Sequence, residues 1–416
     1  MSPDAESGSR APGPVDPRRR IESIDMVRGF ALLGVLLVNM YNFGAYSPVW
    51  TALPDRIAFS VMRFFFETKS WRLFSFLFGL GFSLQLLRSE ARRSPFLTVY
   101  LRRLAILFLI GMAHALFYDG DILMLYAELG LVLVLFRKAR PRLLLILAVA
   151  LLAVFPVGEA VRSLAAESAP GSTVAAPDLA EARRLNDERL RTHPYAVGSI
   201  TDVMAANAEA IPPTPAGNLL GAEGHLSFFA MFLLGLYAGR RRIFHDVEDH
   251  LPLVRAVFRW GSAAGLVGMA GERALALGWG YDVFGTSTGS VPLELAGDLL
   301  FAYGSTALSL GYAAAIVLLA RKVRARRLVA PLAPVGRLAL TVYLTQTLAF
   351  TTLFYGYGLG RAFRSGPAEV TAWACLIFAL QVGACAWWAR RFRFGPAEWL
   401  WRGLTYLKFP RLRIRA

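Results

Sequence analysis

The sequence predicts an all-α fold, a polytopic integral membrane helix bundle with about ten transmembrane helices, and three observations predict it. Of the 416 residues, 56% are hydrophobic and only 18% are charged, whereas a soluble domain carries about 25% charged residues. The apolar residues form runs close to the ~20 that one membrane-spanning helix needs. The net charge of +16 lies in short basic clusters between these runs, which is typical of the positive-inside rule. A basic chain otherwise suggests nucleic-acid binding, but this distribution predicts no nucleic acid as a partner.

The N-terminal residues predict a tail followed by a retained membrane span. Residues 1–20 are rich in Pro, Ser, Gly and Arg, a composition that predicts a disordered tail. The apolar run after them is longer than the core of a signal peptide and has no small-residue cleavage site. The basic flank at Arg18–Arg20 then predicts that the N-terminus is cytoplasmic.

Ten apolar runs follow one another along the chain, and the charges between them test that number. Connections rich in Lys and Arg, such as 137–142 and 321–327, alternate with connections such as 118–121 and 281–291 that contain neither. This alternation predicts ten spans with both termini inside. The runs lie near residues 24–43, 71–87, 99–117, 122–136, 143–161, 226–239, 257–279, 295–320, 338–357 and 370–388.

The spans divide the chain into five regions. Residues 1–20 are the cytoplasmic tail, 21–161 and 222–391 are two membrane regions of five helices each, and 162–221 is a long extracytoplasmic loop with a helical stretch near 178–191. Residues 392–416 combine Trp, Tyr and Phe with many arginines. Such an amphipathic basic tail is expected on the cytoplasmic surface, in contact with membrane lipids.

Several chemistries have no support in the sequence. Cys375 and Cys385 lie ten positions apart in one apolar run, so they indicate neither a disulfide scaffold nor a metal site. The chain contains no Walker A loop, dinucleotide-binding glycine motif, nucleophile elbow or zinc-protease spacing. We therefore expect no metal and no bound cofactor.

His114 is the most informative polar residue, because it is the one histidine that lies deep in an apolar run. Asp119 and Asp121 follow it closely. A neutral imidazole held by a carboxylate is a usable general base near pH 7, so we take His114 as the base and Asp121 as its orienting partner. The alternative is a structural histidine that bonds a backbone carbonyl. His225, at the outer start of the sixth run, is the second choice.

Polar residues at the inner ends of the spans suggest a site for phosphates. Asp25 and Arg28 lie one helical turn apart at the start of the first run, and they form either a structural pair or part of a binding site. Arg28 and Arg337, helped by Arg102 and Arg103, are suited to bidentate phosphate contacts.

Nearer the outer side, further polar residues are expected to meet. Asn39 lies eleven positions after Arg28, where an amide can orient a substrate or bond a neighbouring helix. If the helices form a compact bundle, one outer cavity would collect Asn39, Glu67, Lys69, Arg72, His114, Asp121, His225, Glu294 and Asp298.

Three stretches of the chain resemble the YeiB-like family of bacterial membrane proteins, which is classed mainly by a C-terminal domain of unknown function. The first is RIESIDMVRGFALLGVLLVN at 20–39, and the second is HALFYDGDILMLYAELG at 114–130. The third is GRLALTVYLTQ at 336–346 with FYGYG at 354–358, continuing into RFGPAEWLWR at 393–402. The resemblance covers nearly the whole chain apart from the N-terminal tail and the long loop.

That family resembles, more distantly, transmembrane acyltransferases of the heparan-glucosaminide acetyltransferase and acyltransferase-three types. The resemblance implies transfer of an acyl group from cytoplasmic acyl-CoA, as a co-substrate, to a small-molecule or glycan acceptor beyond the membrane. It rests on the Asp-x-x-Arg-Gly of the first span and a polar residue eleven positions after the arginine. Here that residue is Asn39, where the acyltransferase-three pattern has histidine, so the base is assigned to His114. Tyr343 and Gln346 would line the passage.

Two other classes of function stay open. A permease or exporter would use the same intramembrane polar groups as a substrate path, and a scaffold or sensor is the third alternative. All three place the protein in the bacterial plasma membrane, as a monomer or a homo-oligomer.

Overall fold

The computed structural model describes residues 21–47, 49–91, 95–167, 179–211, 225–278 and 290–414. Within these ranges the fold is all-α, as predicted, and the extended backbone is limited to one isolated bridge between Phe392 and Arg413. The predicted N-terminal tail, 1–20, and parts of the long loop, 168–178 and 212–221, lie outside the described residues.

The helices follow the predicted runs closely. In the first half they are α1 (Glu22–Tyr41), α2 (Leu53–Phe65), α3 (Lys69–Ala91), α4 (Phe96–Ala115), α5 (Leu123–Leu133), α6 (Pro141–Glu167), α7 (Leu179–Thr192), α8 (Pro194–Val197) and α9 (Ile200–Ala210). In the second half they are α10 (His225–Arg240), α11 (Leu251–Ala256), α12 (Ser262–Gly278), α13 (Val291–Arg321), α14 (Val323–Val329), α15 (Leu332–Arg337), α16 (Ala339–Phe354), α17 (Pro367–Arg391) and α18 (Pro396–Tyr406).

Six segments among the described residues are long and apolar enough to cross a membrane: α1, α2 with α3, α4, α6, α13 and α17. They coincide with six of the ten predicted runs. The other four runs correspond to α5, α10, α12 and α16, which are helices of 11 to 17 residues. The structure therefore supports a membrane protein with several spans, while the total of ten stays a prediction.

Glycines let the buried helices approach closely, as small residues do in membranes. A Cβ on Gly29 of α1 would lie 2.2 Å from the Leu332 carbonyl oxygen, and one on Gly336 would lie 1.8 Å from the Asp25 carbonyl oxygen. These contacts press α15 against the first turns of α1. A larger residue at either position would push the two helices apart.

Helices α3 and α10 meet through two similar pentapeptides, FLFGL at 76–80 and FLLGL at 232–236. A Cβ on Gly79 would lie 2.0 Å from the Phe232 carbonyl oxygen, and one on Gly235 would lie 2.0 Å from the Phe76 carbonyl oxygen. The contact is therefore reciprocal, with each glycine seated on the phenylalanine backbone of the other helix. Gly81, two positions further along α3, takes no part in this contact, because a Cβ there meets nothing within 4 Å.

The described part of the long loop forms helices that pack on the bundle. Its predicted helical stretch is confirmed as α7. The Asn207 amide donates to the Leu116 carbonyl at 3.1 Å, and the Tyr195 hydroxyl donates to Asn207 Oδ1 at 2.7 Å. Asn186 donates to the Phe363 carbonyl at 3.2 Å. Helices α7–α9 thus cover the end of the bundle at which α4 terminates.

The C-terminal tail contains α18, which docks onto the bundle through a buried carboxylate. Glu398 Oε1 accepts hydrogen bonds from the Leu340 and Thr341 backbone N–H groups at 2.7 and 3.1 Å, and Oε2 accepts from the Thr341 hydroxyl at 2.6 Å. A carboxylate at the N-terminus of α16 is favoured by its free N–H groups and by the helix dipole. This contact fixes α18 beside α4 and α16.

Candidate functional site

The candidate site centres on the imidazole of His114, in the last turn of α4. Its Nδ1 lies 2.7 Å from Asp121 Oδ1, and its Nε2 lies 2.7 Å from Thr347 Oγ1. The His114 and Asp121 side chains are only 4% and 3% exposed. The predicted contact between His114 and Asp121 is confirmed, and the imidazole has a hydrogen-bond partner on each nitrogen. Its catalytic role stays a prediction.

The carboxylate of Asp121 is held by the start of α5. Its Oδ2 accepts a hydrogen bond from the Met124 backbone N–H at 2.9 Å, so the carboxylate caps that helix and keeps its other oxygen on His114. Gly111 on α4 makes room for this arrangement. A Cβ at that position would lie 2.6 Å from the Met124 nitrogen and 3.0 Å from Asp121 Oδ2.

Two tyrosines stand beside the imidazole. The ring of Tyr343 lies 5.0 Å from that of His114, and the ring of Tyr118 lies 6.1 Å away, centroid to centroid. The Tyr343 hydroxyl accepts a bond from the Ile122 backbone N–H at 3.4 Å. The Tyr118 hydroxyl accepts one from the Asn42 amide at 3.1 Å. These contacts hold the rings in place around His114.

A cavity of about 260 Å³ is lined by Tyr343 but not by His114. Its walls come from α1, α3, α4, α5, α15, α16 and α18, and Phe74, Leu77 and Phe78 of α3 line one apolar side. The charged side chains that line the cavity are mostly arginine. They are Asp25, Arg28, Arg88, Arg103, Arg337, Glu398 and Arg402.

The two carboxylates of the cavity already have partners. Asp25 Oδ1 accepts a bond from Arg28 at 2.8 Å, and Glu398 caps α16. Five arginines against two engaged carboxylates leave the cavity cationic. Arg103 illustrates this best: its guanidinium stacks on the Trp401 ring at 3.8 Å and makes no hydrogen bond or ion pair with the described residues. A stacked, oriented guanidinium of this kind suits an anion such as a phosphate.

The spacing along α4 and α1 gives the distance between the arginines of the cavity and the polar residues near His114. His114 follows Arg103 by eleven positions on α4, and Asn39 follows Arg28 by eleven positions on α1. At 1.5 Å per residue, each pair is separated by about 16 Å along its helix axis. A ligand that contacts both ends must therefore be long and extended.

The other predicted site residues are placed as follows. Asn39 is buried, and its side-chain oxygen has no hydrogen-bond partner within the described part of the chain. Gln346 donates to the Leu32 carbonyl and to Gln381 at 3.3 and 3.2 Å. It therefore connects helices and does not line this cavity.

Arg337 lines the cavity and also donates to the Arg393 carbonyl at 2.6 Å. His225 stacks near Phe228 at the start of α10, and it is not in contact with His114.

The outer polar residues form a separate group instead of one cavity with His114. The Lys69 ammonium donates to the Arg63 carbonyl at 2.9 Å, and Arg63 lies 3.6 Å from Glu67. Arg72 donates to the Ala302 carbonyl of α13 at 2.5 Å. None of these side chains lines the cavity at Tyr343. The sequence could not separate the two groups, because both occupy the same level of the predicted bundle.

Three residues of the site were not singled out from the sequence: Thr347, Glu398 and Trp401. Thr347 directly follows the run at 336–346 that resembles the family and lies four positions after Tyr343, so helical spacing could have placed it on the same face. Glu398 and Trp401 lie in the C-terminal tail, where the amphipathic pattern predicted a membrane surface. No cluster of three or more His, Cys, Asp or Glu suited to a metal ion is found among the described residues.

Comparison with known proteins gives one family model and several full-length relatives. The model described as "Protein of unknown function (DUF418)" matches residues 238–408, which include Tyr343, Thr347, Glu398 and Trp401. The uncharacterized protein YxaH of Bacillus subtilis is 32% identical over 95% of this chain and 96% of its own length. The uncharacterized protein YeiB of Escherichia coli is 30% identical over 92% of this chain and 95% of its own length.

Proposed function

This chain belongs to the YeiB-like family with a DUF418 region, and from that premise we propose that it is a membrane-bound acyltransferase. It takes the acyl group from cytoplasmic acyl-CoA and transfers it to a hydroxyl or amine acceptor at the outer side of the membrane. The observation that supports this best is the imidazole of His114, bonded on both nitrogens, next to Tyr343 at the end of an arginine-lined cavity.

The orientation follows from the charges. With the ten predicted spans and both predicted termini inside, the arginines of the cavity face the cytoplasm, where acyl-CoA is present, in the plasma membrane of a bacterium. The His114 end then lies toward the outer side, where the acceptor arrives. The acceptor is a small molecule or a glycan.

The chemical roles follow from the contacts. Arg28, Arg103 and Arg337 bind the phosphates of the donor, and the apolar wall of α3 lies beside its less polar part. The span of about 16 Å between Arg103 and His114 suits a long, extended carrier arm. The free amide oxygen of Asn39 is suited to orient a hydroxyl or amine of the acceptor. His114 accepts the proton that is lost when the acyl group is transferred, and Asp121 keeps the imidazole oriented.

The test is release of free CoA by the purified protein in lipid nanodiscs, measured as free thiol with a series of acyl-CoA donors. Two results identify an acyltransferase. The protein binds the donor, and its release of CoA increases when an acceptor such as a membrane glycan fraction is added.

A matched pair of variants checks the donor site. Arg103→Ala should weaken donor binding about tenfold or more, and more than Arg103→Lys, because a planar fork fits phosphate oxygens better than an ammonium. Arg102→Ala is the control, since Arg102 donates to the Thr405 carbonyl and does not line the cavity.

The outcome that contradicts this function is absence of donor binding together with absence of CoA release from every donor. Transport of a small molecule by the same protein in vesicles, without any CoA release, would instead identify a permease that uses these polar groups as its path.

A further inference from the structure

We propose that Thr347 is the nucleophile of the reaction and carries the acyl group as an ester between donor and acceptor. This inference rests on the proposed acyltransferase function. It makes the mechanism a two-step transfer through the protein in place of direct attack by the acceptor.

The geometry of three side chains supports it. Thr347 Oγ1 lies 2.7 Å from His114 Nε2, and His114 Nδ1 lies 2.7 Å from Asp121 Oδ1. All three residues are buried or nearly so. A hydroxyl, an imidazole and a carboxylate in this order form the arrangement that activates a hydroxyl for nucleophilic attack.

The carboxylate assigns the protons. An ionised Asp121 can only accept hydrogen bonds, so His114 Nδ1 carries the ring proton and donates it to Asp121 Oδ1. In the neutral imidazole Nε2 is then an acceptor, and the Thr347 hydroxyl, 2.7 Å away, donates to it. The lone pair of Nε2 therefore points at the proton that Thr347 has to lose.

Thr347 also has the right position relative to the cavity. Leu340, Tyr343 and Thr347 are spaced i, i+3 and i+7 on α16 and so share one helix face. The first two line the cavity, and Thr347 is the next residue of that face. The Tyr343 hydroxyl accepts a bond from Ile122, and its own proton has no acceptor among the described residues. That proton is suited to polarise the carbonyl oxygen of an acyl group that reaches the end of the cavity.

Direct attack by the acceptor fits this arrangement less well. An acceptor hydroxyl that used His114 Nε2 as its base would first have to displace Thr347, which occupies that nitrogen at 2.7 Å. Attack by Thr347 uses the hydrogen bond as it stands.

The transfer takes place in two steps, acylation of Thr347 and then transfer of the acyl group to the acceptor. Thr347 Oγ1 attacks the thioester carbonyl, His114 Nε2 takes the hydroxyl proton, the carbon–sulfur bond breaks, and the CoA thiolate leaves with that proton as a thiol. The acceptor oxygen or nitrogen then attacks the Thr347 ester and gives its proton to His114. The Thr347 oxygen–carbon bond breaks, and Thr347 regains the proton from His114.

The experiment is to incubate the purified full-length protein in nanodiscs with acetyl-CoA and no acceptor. We expect a burst of about one CoA per protein, a mass increase of one acetyl group, and a peptide map that places it on Thr347. The adduct should be removed by hydroxylamine or by added acceptor. Thr347→Ser should keep it, whereas Thr347→Val and His114→Gln should lose it. Thr347→Val should also lower turnover by about 10³-fold or more.

Thr351→Val is the matched control, because Thr351 is equally buried one turn later, but among the described residues its hydroxyl bonds only the Leu348 carbonyl. It should keep both adduct and turnover. If the wild type releases CoA only when acceptor is present and forms no adduct, or if Thr347→Val retains turnover, the ester intermediate is wrong while the acyltransferase function stands. If no donor binds or releases CoA in any condition, both are wrong. Should Thr347→Val fail to fold, the wild type and Thr347→Ser still decide the question.

Discussion

Two polar centres are buried between the helices, and they differ in what their central side chain can do. At one, the Arg72 guanidinium donates to the Ala302 carbonyl at 2.5 Å and to the hydroxyls of Ser305 and Thr306, all on α13. At the other, the His114 imidazole bonds Asp121 and Thr347, which lie on two different elements.

Burial of a charged or polar group in a membrane protein therefore does not by itself indicate a catalytic role. Arginine keeps its proton at any ordinary pH, so Arg72 works as a clamp that fastens α3 to α13. Histidine exchanges its proton near neutral pH, and His114 has a hydroxyl on one side, a carboxylate on the other and a cavity one side chain away. Polar residues in membranes are candidates for function, and the exchangeable proton together with these neighbours selects His114.

The largest effect is expected from removal of the imidazole. His114→Ala should lower acceptor-dependent CoA release by about 10²- to 10⁴-fold, the usual contribution of a general base. Expression and donor binding should stay close to those of the wild type. His225→Ala should change the rate far less, since the partners of His114 among the described residues are Asp121, Thr347, Tyr118 and Tyr343. Full activity in His114→Ala would show that His114, like Arg72, has only a structural role.

The second effect is expected in stability and not in chemistry. Arg72→Met removes hydrogen bonds from a charged donor, each of which contributes about 1.5–3 kcal/mol, so unfolding in detergent should become easier by roughly 2 kcal/mol or more. Turnover per folded molecule should be unchanged. The control is Arg324→Met at an exposed arginine. A selective loss of turnover in Arg72→Met, with normal stability, would show that Arg72 takes part in function.

A third test addresses the cavity beside the His114 centre, which none of the Arg72 centre's side chains lines. Gly81 lines the cavity, and an added Cβ meets nothing within 4 Å, so Gly81→Leu should fold and fill part of the space. We expect donor turnover to fall by about tenfold, with the greatest loss for long acyl chains. Gly383→Leu is a matched control, because Gly383 also has open space around it but does not line the cavity. Equal effects of the two substitutions on turnover would mean that donors do not occupy this cavity.

The smallest effect concerns the helices α7–α9 that cover the His114 end. Burial, followed by the charge of Arg189, lowers the pKa of His193 below its ordinary value, and its neutral ring accepts a bond from the Tyr195 N–H at 3.1 Å. As the pH falls below about 6.5, the unfolded chain gains this proton before the folded protein does, so stability should decrease on acidification. His193→Gln should show a smaller decrease in melting temperature between pH 7.5 and pH 5.5 as test conditions. An identical decrease in both proteins would show that another group is responsible.

The sequence anticipated the helices better than the contacts between them. Each of the ten predicted apolar runs coincides with a helix among the described residues, because a run of about 20 apolar residues is what the membrane thickness requires of one spanning helix. The contact between His114 and Asp121 was also predictable, since both lie at one turn between α4 and α5. Contacts across the chain were not. Arg103 meets Trp401 only because α18 returns to α4, and a residue pair that far apart leaves no local pattern.

The sequence by itself determined that this protein is a helical membrane protein with a basic side, and that a histidine with a nearby aspartate lies inside it. These properties follow from composition and short-range spacing. Only the tertiary structure decided that Thr347 occupies the second nitrogen of His114, that Arg72 serves as a clamp, and that five arginines share one cavity with Tyr343. The physical reason is that hydrogen bonds and cavities form between helices distant in sequence, and helix packing, guided by glycines such as Gly79 and Gly336, brings those helices together.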